Sequence, residues 1–180
     1  MREHELNAGT VTEGMAVAKH GKRQGDEAIW AAGAAGVRPD WADVMWFGAD
    51  AHGRVGMFTS AGPGPIPRAV FRDLAAYNAL DRFLRELPTA GKAEVLIRYK
   101  WTGDWVRVAE RGLFAFNYDY DRGRPNGYRL VARPAVPLSL GQLPGWVNAE
   151  LSEAVLHGES FAEAADRVAD LSGVPGGLVG

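Results

Sequence analysis

Residues 46–58 constrain this chain more than any other stretch. The β-rich runs 44–48 and 55–60 flank Asp50-Ala51-His52-Gly53, in which aspartate opens a turn and glycine accepts a positive φ. The segment reads as a tight hairpin. Side chains alternate across a strand, so Trp46 and Phe47 face opposite sides, as do Met57 and Phe58 on the returning strand. A sheet with bulky apolar groups on both faces needs cover on both.

The residues that follow supply candidates for that cover. Ala61-Gly62-Pro63-Gly64-Pro65-Ile66-Pro67 holds three prolines and two glycines after its first alanine, which excludes helix and strand and leaves a shaped loop. Pro67 suits the first turn of a helix, predicted to run to about Leu87, where Pro88 stops it. Val70, Leu74, Tyr77, Leu80, Leu84 and Leu87 recur there at spacings of three and four, as one buried stripe does. Beyond Gly91 the pattern predicts a strand or short helix over 93–98, a helix over 104–110, and strands over 112–118 and 128–132 joined through a turn-rich 121–127. Pro144 opens a helix to Leu156, closed by His157 and Gly158. Ser160 with Glu163 makes a capping-box pattern, and Phe161, Ala164, Val168 and Leu171 form the stripe of a last helix. The expectation is an α+β fold, an antiparallel sheet of hairpins packed against several helices. It comprises one domain over 41–172, a poorly ordered or helical segment over 1–40 with a helix near 26–35, and a frayed end over 173–180.

Composition narrows the chemistry. A 180-residue chain with 47% hydrophobic and 23% charged residues can bury an ordinary core. It has no cysteine, which removes disulfides, thiolate metal sites and cysteine nucleophiles. The small-apolar run 28–37 is too short to span a bilayer. The basic stretch 19–23 precedes that run, but Asp26 and Glu27 intervene and a leucine-rich centre is missing, so no cleaved signal is expected. The expected location is cytoplasmic, without membrane attachment. The net charge of −2 conceals a segregation: residues 68–134 carry 13 basic and 8 acidic side chains, residues 135–180 only 1 basic against 6 acidic. In the basic middle the charges alternate with acids and tryptophans, which argues against a nucleic-acid arm.

No residue set reaches the specificity of a catalytic signature. The 62–67 loop lacks the lysine and Ser/Thr of a P-loop, and its prolines delete the amides that cradle phosphate. Asp119, Asp121 and Asn126 bunch in one turn, but Arg124 and Leu130 stand where a calcium loop needs glycine and glutamate. His4, His20, His52 and His157 are scattered without metal-ligand spacing, and no serine sits in G-x-S-x-G. No cofactor, metal or catalytic residue is therefore assigned. The six tryptophans, at 30, 41, 46, 101, 105 and 146, fit core packing before a stacking surface.

The run Trp46-Phe47-Gly48-Ala49-Asp50-Ala51-His52-Gly53-Arg54-Val55-Gly56-Met57-Phe58, followed by the 62–67 loop and a helix, resembles a pattern of small bacterial immunity or accessory proteins that partner secreted toxins. It covers about a third of the chain. The resemblance implies a cytoplasmic protein-binding module that neutralises a toxin by direct contact, and it carries over no functional residue. The acidic C-terminal third suits a basic toxin domain, because complementary charge speeds association and rejects wrong partners. The partner-binding residues read from that charge are Glu150, Glu153, Glu159, Glu163 and Asp166. Two alternatives stand beside this reading. One is a small hydrolase or ligand-binding enzyme with a pocket between hairpin and loop, using Asp50 and His52 or a carboxylate pair such as Asp50 and Asp119. The other is a nucleic-acid-binding domain on the basic middle segment.

Overall fold

Three aromatic rings stack across neighbouring strands. Trp46 and Phe58 are register partners with ring centroids 4.0 Å apart and nearly parallel, and Phe58 and Phe116 are partners at 4.6 Å. These pairs belong to β1 (Met45–Asp50), β2 (Val55–Thr59) and β5 (Phe114–Asp119). The computed structural model describes residues 25–38, 42–100, 102–120, 127–164, 168–169, 171, 174 and 176–179.

The remaining elements are α1 (25–34), β3 (Ile66–Pro67), a 3-10 turn (Arg68–Phe71), α2 (Leu74–Glu86), β4 (Ala93–Val95), α3 (Gly103–Glu110), β6 (Gly127–Pro134), a second 3-10 turn (Leu140–Gln142), α4 (Gly145–Ser152), β7 (Val155–Leu156), β8 (Val168–Ala169) and β9 (Leu178–Val179). The main sheet runs β4-β6-β5-β2-β1-β7, with β8 also paired to β6, and β3 and β9 form a two-stranded sheet. The fold is α+β and the pairing is mostly antiparallel. Two pairs depart from the expected run of hairpins: β2–β5 and β1–β7 are parallel. Parallel neighbours need a crossover, and the β2–β5 one contains β3, α2, β4 and α3.

Strand alternation divides the core as the hairpin sequence requires. One face carries Trp46, Phe58, Phe114, Phe116, Tyr128 and Leu130, covered by Trp30 of α1, Phe71, and the C-terminal residues Phe161, Leu171 and Val179. The other carries Phe47, Val55, Met57, Ala115 and Ala132, covered by Leu80 and Leu84 of α2, Val108 of α3, and Val147 and Leu151 of α4. Both faces are dry, which explains the apolar density of β1 and β2. On the first face Trp46 donates its indole N–H to the Tyr128 hydroxyl at 3.1 Å, and that hydroxyl donates to the Pro65 carbonyl at 2.9 Å. The loop is thereby tied to the aromatic stack, and burial pushes the Tyr128 phenol well above its usual pKa.

Three helix expectations need correction. The element expected from Pro67 to Leu87 is split, because Asp73 accepts from Ala75 N at 2.8 Å and Ala76 N at 3.1 Å and so caps a new start at Leu74. The helix expected to reach Leu156 ends at Ser152, and Val155–Leu156 join β1 instead. No helix forms from Ser160: residues 161–163 are a turn and 168–169 are strand β8, while 165–167 lie outside the described residues. The competing force is visible. The Phe161 N–H is taken by Asp50 at 2.8 Å, and the Phe161 ring sits against Phe58, Phe114 and Phe116 at 5.0–5.8 Å. Within the glycine-rich end, Leu178 and Val179 pair with Pro67 and Ile66, and Val179 is buried.

Glycines admit the two closest approaches to the hairpin. A Cβ on Gly56 would lie 2.8 Å from the Phe161 ring, and one on Gly48 would lie 2.5 Å from the Ala154 carbonyl oxygen. The second obstacle is backbone and cannot swing aside. Gly48→Ala is expected to destabilise the fold by about 1–3 kcal/mol as overpacking does, read as a lowered urea midpoint. Gly145→Ala, where an added Cβ meets nothing within 4 Å, is expected to leave the midpoint unchanged or slightly raised.

Candidate functional site

α4 begins at Gly145, after Pro144 at its N-cap, and its sequence faces two ways. Val147 and Leu151 are buried against the sheet. Trp146, Glu150 and Glu153 follow a spacing of four and three, so they share the outer side. Trp146 is 48% exposed, an unusual state for the largest apolar side chain. Its ring meets Phe83 of α2 edge-on at 5.5 Å. Leu80 and Leu84 turn α2 toward the core and leave Phe83 on the flank beside α4.

Arg72, at the junction of the 3-10 turn and α2, crosses to this side. Its Nη2 donates to both carboxylate oxygens of Glu150 at 3.1 and 3.0 Å, and its Nη1 lies 3.0 Å from Oε1 of Glu153. The hydrogen bond to Glu153, then the charges of both glutamates, hold the guanidinium pKa above its ordinary value. All three side chains are partly solvated, so each pair adds at most about 1 kcal/mol of stability. Their effect is to hold two carboxylates in place beside Trp146. Two carboxylates against one guanidinium leave the patch acidic. Beyond Arg72 an open cleft of about 370 Å³ continues the surface, lined by Ala34, Arg68, Phe71, Glu153 and Gly176 among others.

The five acidic residues read from sequence thus part company. Glu150 and Glu153 come together. Glu159 is 7% exposed and lies beside the hairpin turn, where its carbonyl accepts from Ala51 N at 3.1 Å. Glu163 is exposed in the 161–163 turn, and Asp166 lies outside the described residues. Phe83 and Arg72 were not singled out from sequence, and Trp146, grouped with the tryptophans expected to pack in the core, stands half-exposed instead. Trp146 had a signal: it sits on the side of α4 opposite Val147 and Leu151, where a solvated helix face carries polar groups.

The residues of the enzyme alternative lie at the hairpin turn and on β5. Asp50 is 1% exposed; its Oδ1 accepts from His52 N at 2.9 Å and Arg54 N at 2.8 Å, and its Oδ2 accepts from Phe161 N. The Asp50 carboxylate therefore meets the His52 backbone, and it fastens the hairpin turn to the C-terminal segment. Asp119 pairs with Arg129 at 2.8 Å. Among the described residues no three His, Asp or Glu side chains gather as a metal-holding group, and no helix is long and apolar enough to cross a membrane.

Removing the Asp50 carboxylate strands three N–H donors, two of them in the hairpin turn. Asp50→Ala is expected to cost roughly 2–4 kcal/mol, since each buried donor left unmade costs on the order of 1–3 kcal/mol and the turn relaxes part of it. Chemical denaturation measures this, and His52→Ala, which keeps its backbone N–H, is expected to change stability by less than about 0.5 kcal/mol. Among known proteins, no family model, curated protein or solved structure matches the chain.

Proposed function

We propose that this chain is a protein-binding module that holds a basic partner on the outer face of α4 and the adjoining flank of α2. The observation that carries this reading is the half-exposed Trp146, braced by Phe83 and set one helical turn before the Arg72-anchored Glu150. Tryptophans fixed in this way are the residues on which binding energy concentrates, and a charged rim adds rate and selectivity. The resemblance of residues 46–67 to immunity and accessory proteins supplies the partner's class: a secreted toxin whose basic domain is neutralised by direct contact. In this reading Glu150 and Glu153 face cationic side chains of the toxin.

The test uses the protein encoded beside this chain, purified and titrated calorimetrically. Trp146→Ala is expected to weaken the complex by about 2 kcal/mol or more, roughly thirtyfold, as truncation of a central aromatic anchor does. Glu150→Lys with Glu153→Lys is expected to slow association and flatten its salt dependence. Unaltered affinity in both variants, each checked for a native denaturation midpoint, would overturn the proposal.

A further inference from the structure

The other flank of α2 carries the opposite charge. A cleft of about 150 Å³ between α2 and α3 is lined by Arg85, Asp104, Arg107, Val108 and Arg111. Three guanidinium groups thus share a small space with one carboxylate. Arg107 is paired with that carboxylate, Asp104. Arg85 binds Asp81 through Nε at 2.6 Å, and its Nη2 donates to the Met45 thioether sulfur at 3.1 Å, a weak acceptor. Arg111 has the fewest commitments: Nη1 donates to the Arg107 carbonyl at 2.8 Å, and Nε is removed from solvent without a hydrogen-bond partner among the described residues.

Capping the end of α3 accounts for one N–H of Arg111 and leaves its buried Nε–H without a partner among the described residues. Asp81 and Asp104 each offset one of the three guanidinium charges, which leaves the cleft with the charge of Arg111 open to an anion. Guanidinium forks match tetrahedral oxyanions through paired N–H donors, which a point-charge cation cannot do. The volume exceeds several times what a single water requires.

We infer that the α2–α3 cleft is a binding site for a small phosphate-class dianion, with Arg111 as its principal donor and Arg85 and Arg107 as flanking donors. The inference stands independently of the partner face on α4, which lies across α2. The segregation of 13 basic residues into 68–134 acquires a local purpose: three of them converge on one anion.

The test follows backbone amide resonances of the full chain during titration with inorganic phosphate and, separately, O-phosphoserine, at fixed ionic strength maintained with chloride. Saturable shifts confined to residues 85 and 104–111 are expected. Arg111→Gln is expected to weaken binding about tenfold or more, the range for losing a charge-assisted hydrogen bond. Arg82→Gln, an exposed arginine on α2 outside the cleft lining, is expected to leave it unchanged. Tighter binding of O-phosphoserine assigns a phosphomonoester and tighter binding of phosphate assigns the free ion. Three results would overturn the inference: no saturation with either ligand, equal weakening by Arg82→Gln, or binding seen only with a single-stranded oligonucleotide.

Discussion

The stack of Trp46 on Phe58 on Phe116 sets the terms for the rest of the molecule. It runs across β1, β2 and β5, and Phe116 continues in register to Leu130 on β6. Each ring buries on the order of 150–250 Å², so a slip of one residue on any of these strands would drive a large aromatic onto the opposite face, which Leu80, Leu84, Val108, Val147 and Leu151 already fill. The parallel β2–β5 pairing is therefore specified by its side chains despite a long crossover. Neighbouring elements also answer to the stack. Tyr128 stands edge-on to both Trp46 and Phe58 and passes a hydrogen bond to the Pro65 carbonyl, while Phe161 lies on Phe58 and Phe116.

Asp50 converts this apolar arrangement into a connected one. Its carboxylate serves the turn that joins β1 to β2 and, through the Phe161 N–H, the segment that closes over the stack. A buried carboxylate is costly unless its oxygens are fully engaged, and here three amides and the Arg54 guanidinium at 3.9 Å surround it. An acid beside a histidine in a turn suggests proton transfer when only sequence is known. In the folded geometry the amides of the turn and the Phe161 N–H take the acid's oxygens, so one carboxylate both forms the hairpin and docks the segment at Phe161.

What could be read from sequence follows the range over which each feature is determined. The hairpin, α3 and the β5–β6 pair depend on local chemistry and appear where alternation and turn residues place them. The break at Asp73 was also local, yet the longer apolar stripe of 70–87 masked it, because a capping aspartate and a solvated helix aspartate look alike without their hydrogen bonds. Residues 155–171 failed for a different reason. Ser160 and Glu163 offer a capping box worth about 1 kcal/mol, whereas burying Phe161 on three aromatic rings is worth several times that, at about 3–5 kcal/mol by the usual cost of truncating a buried Phe. The tertiary term wins, and nothing local announces it. The site shows the same limit. Net charge marked the C-terminal third as acidic, but only the fold pairs Glu150 with Glu153 through Arg72 and buries Glu159.

α2 turns out to be the element on which surface chemistry is sorted. Leu80 and Leu84 fix its rotation against the sheet. Phe83 and Arg85 flank Leu84 and stand two residues apart, hence about 200° around the helix axis. Fixing one inward side chain consequently sends the aromatic flank toward α4 and the cationic flank toward α3. A solvated helix needs only a polar outer face, and a mixed one would have satisfied that requirement equally well. Here the Trp146–Glu150 surface and a cleft of guanidinium groups lie on opposite sides of a single element, so a partner on the proposed α4 face would leave the α2–α3 cleft open. Leu84, 1% exposed between the two flanks, holds the rotation of α2 that keeps them apart.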